Sequence, residues 1–329
     1  MVGRIILFMK VFIACPAPPR SRKGNRITAV RWARILKSLG LRVTIGMDYD
    51  GRRFDLLVAL HARHSYESVC RFRRSCPQEP VIVALTGTDL YRDIRRCARA
   101  GRSIELADRL VVLQPLAIEE LPSSVRGKAR VVYQSTTQTP GTLTKSNSHF
   151  QVVVLGHLRP VKDPFRTALA LRHVPNSSRI GVIQVGQALH RAMAERARRL
   201  SKRDRRYTWI GEVPRWKARR ILAASDLLVL SSRMEGGANV ISEAAVDGVP
   251  VIASRIAGSL GLLGEDYPGY FPVGDTRALA HLLVRAETDP EFYAGLEQTC
   301  RRLAPLFHPA RERMSWMRLL EELSRKRSP

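Results

Sequence analysis

Short apolar runs rich in β-branched residues alternate along this chain with segments whose apolar positions recur every three or four residues. That alternation predicts an α/β protein built on parallel sheet, because a crossover helix must return the chain before the next parallel strand begins. In the first half, strands are predicted over residues 4–15, 42–46, 55–62, 81–88, 109–114 and 130–134. Between the first two, Trp32, Ile35, Leu36 and Leu39 share one helical face, and Gly40 stands where a helix ends in left-handed backbone. A polar, turn-forming stretch over 135–148, with Pro140 and Gly141, reads as an interdomain linker. Beyond it the alternation restarts, with strands predicted over 151–158, 179–186, 207–211, 226–232, 250–254 and 270–274. Two consecutive Rossmann-like domains, 1–145 and 146–308, are expected. A last helix within 309–329 carries Trp316, Leu319, Leu320 and Leu323 on one stripe, which is expected to pack back on the first domain. The run 325–327 reads as a solvated tail.

Composition alters this picture only through charge. Lys and Arg number 55 against 29 Asp and Glu, a net charge of +26, so an anionic partner is expected. Part of the excess, such as Arg196, Arg198, Arg199, Lys202, Arg203, Arg205 and Arg206, reads as a solvated helix face. Nucleic acid is not the expected partner: aromatics for base stacking are only 6% of the chain, and no zinc-ligand or ribonucleoprotein signature is present. Cys15, Cys70, Cys76, Cys97 and Cys300 follow neither a disulfide framework nor a metal-ligand spacing, which suits a reducing cytoplasm. The apolar stretch 5–15 is interrupted by Lys10 and is too short to cross a bilayer, and no other run approaches that length, so no membrane span is expected.

Two segments carry chemistry in the second half. The stretch from Ser231 to Ala244 follows a predicted strand and opens a helix that ends at Gly248. In a doubly wound sheet that junction is the ligand edge, where backbone N–H groups of a helix N-terminus suit phosphate. Gly236 and Gly237, followed by Ala238 and Asn239, leave room for a phosphate to approach the main chain. Glu235 and Glu243 can then address different ends of one long ligand. The partner segment, Gly156 to Pro164, follows the first strand of this half and brings Arg159 and Lys162 to the same edge, where two cations can neutralise a diphosphate.

These segments resemble the donor site of the GT-B glycosyltransferases of the large retaining family. The resemblance implies two Rossmann-like domains facing a central cleft, with Glu235 on the donor sugar, Glu243 on the ribose, and Arg159 and Lys162 on the departing nucleotide diphosphate in place of a metal. In the first half, three blocks follow predicted strands: Gly24 to Trp32, Leu60 to Ser65, and Leu85 to Tyr91. With the block from Gly261 to Tyr270 they resemble the selenosugar synthases of selenoneine biosynthesis, a resemblance that runs from about Lys10 to the C-terminal helix. It implies transfer of glucose or N-acetylglucosamine from UDP-glucose or UDP-N-acetylglucosamine to selenophosphate, with loss of phosphate to leave a 1-seleno-sugar.

Selenophosphate is a small multiply charged anion whose selenium is already nucleophilic, so its site needs cations and neutral donors more than a strong base. Arg26, Arg31, Arg63 and His61 are candidates for the charge, with His61 also a candidate catalytic group. Gly24, Asn25, Thr28, Thr86, Gly87 and Thr88 are candidate neutral contacts, with Asp89 orienting an arginine or a sugar hydroxyl. Asp48-Tyr49-Asp50 has a two-aspartate spacing that binds metal in another transferase architecture, but Gly51 follows it and a surface turn is expected. No metal or cofactor is expected. The rival readings are a transferase acting on a hydroxyl acceptor, which needs a base, and a non-catalytic sugar-nucleotide-binding protein, which has no need of cations on a leaving group.

Overall fold

The computed structural model describes residues 9–21, 24–141 and 148–325. The start of the first predicted strand, the middle of the predicted linker, and Lys326 and Arg327 of the predicted tail lie outside the described residues. The described chain divides into two compact units, one formed by residues up to Ser135 together with the segment from Pro309, the other by Thr136–His308.

The first unit is a six-stranded parallel sheet in the order β2-β1-β3-β4-β5-β6. Its strands are β1 (Lys10–Ala14), β2 (Arg42–Gly46), β3 (Leu56–Leu60), β4 (Val81–Ala84), β5 (Arg109–Val112) and β6 (Ala129–Val131). Both faces are covered, which is why β3 and β4 read as unbroken apolar runs rather than alternating ones. One face packs α1 (Gly24–Ser38) through Trp32 and Leu36, and also the C-terminal helix through Trp316, Leu319, Leu320 and Leu323. The indoles of Trp32 and Trp316 meet edge to face at 4.9 Å. The other face packs Phe12, Tyr49, Val69, Phe72, Leu90 and Ile104, the last contributed by α3 (Ala98–Leu106), and Phe72 by α2 (Tyr66–Ser75). Gly40 closes α1 in left-handed backbone at φ 90°.

The C-terminal helix is fastened by one buried carboxylate. Glu312, 1% exposed, accepts from Trp32 Nε1 at 2.7 Å, Arg31 Nε at 3.2 Å, and the amide and hydroxyl of Ser135 at 2.9 and 2.5 Å.

The second unit is a second six-stranded parallel sheet, in the order β12-β11-β10-β7-β8-β9. Its strands are β7 (Phe150–Leu155), β8 (Ile180–Val185), β9 (Tyr207–Trp209), β10 (Leu227–Leu230), β11 (Val251–Ser254) and β12 (Tyr270–Phe271). Chain order runs outward from β7 to β9, then reverses through β10, so β7 and β10 are neighbours at the switch point. The crossovers after β8 are made by α4 (Arg191–Arg203), α5 (Arg215–Ala223), α6 (Asn239–Asp247) and α7 (Ala257–Leu263), and α8 (Thr276–Thr288) and α9 (Pro290–Leu303) follow the last strand. Residues 136–140 belong to this unit because Thr139 donates its amide and hydroxyl to Asp247, each at 2.7 Å, while Arg219 binds both Thr136 and Asp247. The predicted boundary at 145 lies outside the described residues.

All twelve predicted strands are strands. Those before the candidate site loops are shorter than predicted: β4 ends at Ala84 and β10 at Leu230, because the following Thr and Ser residues leave the ladder to form the loops described next. All five cysteines are free thiols. Among the described residues, no helix is long and apolar enough to cross a membrane.

Candidate active site

In the second unit, both chemistry-bearing loops leave the C-terminal ends of the two strands that meet at the switch point. There the crossovers diverge to opposite sides, and the sheet opens a crevice to its ligand edge. The loop after β7 runs from Gly156 to a short 3-10 turn, Pro160–Lys162, and then passes Asp163, which holds left-handed backbone at φ 42°. That turn is stitched to the loop after β10. Ser231 Oγ donates to the Asp163 carbonyl at 2.9 Å, the Arg233 amide donates to the Val161 carbonyl at 2.8 Å, and Arg166 donates from Nε and a terminal nitrogen to the Asp163 carboxylate at 3.0 and 2.9 Å. Gly186 at the end of β8 presses on the same loop: a Cβ there would lie 2.0 Å from the Gly156 carbonyl oxygen.

Held this way, Lys162 forms an ion pair with Glu235, whose carboxylate also accepts from Ser232 Oγ at 2.6 Å. Glu235 is pinned from its other side by Gly258 in the first turn of α7, where a Cβ would lie 2.0 Å from the Glu235 carbonyl oxygen. Ser254 Oγ donates to the Ser232 carbonyl at 2.5 Å and fixes the loop to β11. Gly236, Gly237 and Ala238 lead into α6, whose first residue is Asn239, so the N-terminus of that helix stands at this edge. Glu243 lies further along α6, 8% exposed, and accepts from Arg215 at 2.8 Å. Arg159 is half-buried ahead of the 3-10 turn, and its side chain has no hydrogen-bond or ion-pair partner among the described residues.

The sequence reading named both glutamates, Arg159 and Lys162, but not what holds them. Arg215 is 28 positions from its partner Glu243, and Gly258 reaches Glu235 from the next crossover. Neither has a signal in linear spacing. The arrangement offers an unpaired guanidinium, an ammonium that can exchange Glu235 for an anion, a helix N-terminus and two carboxylates: a diphosphate joined to hydroxyl-bearing groups meets complementary chemistry at every point.

The first unit gathers a second cluster at the ends of β3 and β4. His61 follows β3, is 6% exposed, and holds left-handed backbone at φ 74°, a conformation that costs a residue other than glycine roughly 1–3 kcal/mol. Its surroundings over-determine it. The His61 amide donates to the Ala84 carbonyl at 2.8 Å, Ser65 Oγ to the Leu60 carbonyl at 2.7 Å, Ser103 Oγ to the Ala62 carbonyl at 2.8 Å, and the Ala62 amide to Asp89 at 3.0 Å. His61 Nδ1 accepts from the His64 amide at 3.4 Å, so the proton of a neutral ring sits on Nε2, 3.2 Å from Thr88 Oγ1. The rings of His61 and His64 lie 4.3 Å apart. Burial first, and then His61 and Arg63, hold the His64 imidazole below its ordinary value. Asp93, 3% exposed, stands 4.0 Å from His61 Nε2 and pairs with Arg92 at 3.0 Å and Arg63 at 3.8 Å.

Several of the expected acceptor contacts have partners within the unit. Asp89 is fully buried and accepts from the amides of Ala62, Thr86 and Gly87, so it organises two loops. Thr28, 2% exposed, accepts from Gln134 at 2.8 Å inside the core of the unit. Arg31 is held by Glu312. Gly24 and Asn25 open α1, with Gly24 exposed and Asn25 half-buried, and Arg26 lies beside the buried Cys15 thiol, which burial pushes up and the Ala17 carbonyl and Arg26 only partly restore. Asp50 is engaged by Arg52, which donates to it from its amide at 3.1 Å and from Nε at 2.8 Å.

The sequence profile of the family described as Glycosyl transferases group 1 matches residues 137–302, half of the chain. A curated relative, the UDP-Gal:alpha-D-GlcNAc-diphosphoundecaprenol alpha-1,3-galactosyltransferase of Escherichia coli, is 28% identical over 165 residues; the match spans 48% of this chain and 41% of the relative. Among solved structures, Anabaena HepE in complex with UDP and glucose superposes with a TM-score of 0.76 at 16% identity, over 95% of this chain and all of that one. Sucrose-phosphate synthase from Thermosynechococcus elongatus superposes with a TM-score of 0.78, also at 16% identity, over 97% of this chain and 100% of its own. These two likenesses show a shared GT-B fold.

Proposed function

Because the chain belongs to the group 1 glycosyl transferases, we propose that its second unit binds a UDP-sugar and that the reaction is transfer of the sugar to selenophosphate. In this reading Glu243 takes the ribose, Arg159, Lys162 and the first turn of α6 take the diphosphate, and Glu235 takes the sugar. The observation that carries the donor half is the Lys162–Glu235 ion pair at the switch point, flanked by the unpartnered Arg159 and the Arg215–Glu243 pair. A diphosphate displaces a carboxylate from a lysine readily, and Glu235 is then released towards a sugar hydroxyl.

The acceptor half rests on the sequence resemblance to selenosugar synthases and on the chemistry of the cluster in the first unit. Arg26, Arg63 and His61 supply charge, while Asn25, Thr86 and Thr88 supply neutral contacts. Selenium attacks the anomeric carbon as the bond to the UDP oxygen breaks, and the departing charge is met by Arg159 and Lys162. Water then cleaves the phosphorus–selenium bond, giving phosphate and the 1-seleno-sugar. No base is needed on the acceptor, because the nucleophile is already an anion.

A second reading, transfer to a hydroxyl acceptor, is favoured by the name of the Escherichia coli relative, a galactosyltransferase of a diphosphoundecaprenol-linked sugar. One experiment separates the two. Purified protein is mixed with UDP-glucose or UDP-N-acetylglucosamine and freshly made selenophosphate, and mass spectrometry looks for the selenium isotope pattern on a hexose. UDP release together with that pattern is expected; intact donor and no selenium-bearing sugar would overturn the selenium assignment.

A further inference from the structure

Gln184 is a polar residue where the fold asks for an apolar one. It sits one residue from the end of β8, in the ladder between Val154 of β7 and Trp209 of β9, on the same strand face as the buried Ile180 and Val182. Its main chain is satisfied: the Ile210 amide donates to its carbonyl at 3.1 Å. Its side chain is not. The residue is 1% exposed, and neither the amide nitrogen nor the amide oxygen has a hydrogen-bond partner. A buried amide without partners is a cost that leucine at the same position would avoid, so its presence calls for a group that meets it in another state of the protein.

The pocket that Gln184 lines identifies that group. Its other walls include Gly156, Lys162, Ser231 and Ser232, the residues of the switch-point crevice. In the free protein the Lys162 ammonium is drawn to Glu235, and Ser232 holds that same carboxylate. Once a diphosphate takes one ammonium hydrogen and Glu235 turns to the sugar, Lys162 needs a further acceptor on the protein side, or it swings with its old partner. An ammonium has three hydrogens to place and no lone pair, and an amide oxygen in the same pocket suits it.

We propose that Gln184 is a positioning residue for Lys162: its amide oxygen takes an ammonium hydrogen, directly or through a water in the pocket, and holds the cation on the diphosphate when Glu235 is released. The proposal rests on the donor-site reading above and deepens it. It does not make Gln184 a contact of the sugar or of the base.

The test measures binding of UDP and of uridine by calorimetry, and thermal unfolding, for the wild type, Gln184→Leu, Lys162→Ala and the double variant. Gln184→Leu is expected to melt at or above the wild-type temperature, since an apolar group of similar shape removes two unmet polar atoms. Its UDP affinity is expected to fall about tenfold, with uridine affinity unchanged, and no further fall is expected when Gln184→Leu is added to Lys162→Ala. A merely structural role would move the melting temperature and leave the coupling to Lys162 at zero. If wild-type protein binds no UDP, the donor-site reading fails and this inference with it. If wild type binds UDP and the folded Gln184→Leu binds it equally well, the inference alone is overturned. Should Gln184→Leu not fold, Gln184→Met, unbranched like glutamine, takes its place; failure of both to fold would make the amide a requirement of the core and would also overturn the proposal.

Discussion

At the scale of single residues, the site is made by close approaches as much as by charges. Gly258 illustrates this: its φ is unremarkable, yet no side chain fits there because the Glu235 carbonyl oxygen occupies the place of a Cβ. Gly258→Ala must push the Glu235 loop outward, and a displacement near 1 Å at a positioning group costs about 100-fold in turnover. That loss should show in steady-state rates with far-UV dichroism unchanged. Glu243→Ala and Arg159→Ala should each lower turnover at least ~100-fold as well, the size expected when a positioning or charge-stabilising group is lost; near-normal rates in both would refute the donor-site reading. His64 gives a pH-dependent prediction. Its folded value is depressed below the ordinary imidazole value of 6.5, chiefly by burial and then by His61, so folding favours the neutral ring. The corresponding stability is complete above about pH 6.5 and is lost as pH falls through the depressed folded value. A His64→Gln variant should therefore lose less of its melting temperature than the wild type when buffers are stepped from neutral to acid.

At the scale of elements, strands were legible in the sequence and their ends were not. Runs such as Leu56–Leu60 and Val81–Ala84 are apolar throughout because both faces of their sheet are covered, and that pattern has no competing reading between turn residues. Beyond Ala84 and Leu230 the residues Thr86, Thr88, Ser231 and Ser232 keep a strand-like composition while their hydrogen bonds go to loops. Candidate residues that follow a strand were therefore legible by position, whereas Arg215, Gly258 and Gln184 were not, since each reaches its neighbours across a separation that only the assembled sheet closes. The three amides that surround Asp89 were not legible either, because the Ala62 amide comes from another loop. The C-terminal helix shows an element anchored by a buried carboxylate as well as by its apolar stripe. Glu312→Ala would leave Trp32 Nε1, the Arg31 guanidinium and the Ser135 amide without their acceptor inside a core. Breaking a buried charged network of this kind costs about 3 kcal/mol. Urea unfolding should register it as a lower midpoint with an unchanged slope, and Glu312→Gln should lose less because one carbonyl oxygen remains.

At the scale of the whole molecule, the charge of +26 needs an account that the two clusters do not give, since they use only a few of the 55 cationic residues. Many of the rest are on exposed helix faces, as in α4, where Arg191 is 92% exposed and pairs only with Glu195 one turn on. Pairs of that sort add little to stability. Their summed field is another matter, because the proposed substrates, a UDP-sugar and selenophosphate, are both multiply charged anions, and a strongly positive surface raises the rate at which such ligands arrive. Capture and chemistry respond differently to salt. Exposed charges are screened over about 10 Å at 0.1 M and about 3 Å at 1 M, whereas the half-buried Lys162 and the buried Glu243 feel bulk ions much less. Raising ionic strength over that range should lower kcat/KM several-fold for an anionic donor while kcat stays within about twofold. The two kinetic constants can be followed in one titration with an inert salt, using continuous detection of released UDP. A kcat that falls in step with kcat/KM would move the salt-sensitive charges into the site itself, and a kcat/KM indifferent to salt would leave the excess of arginine without a part in substrate capture.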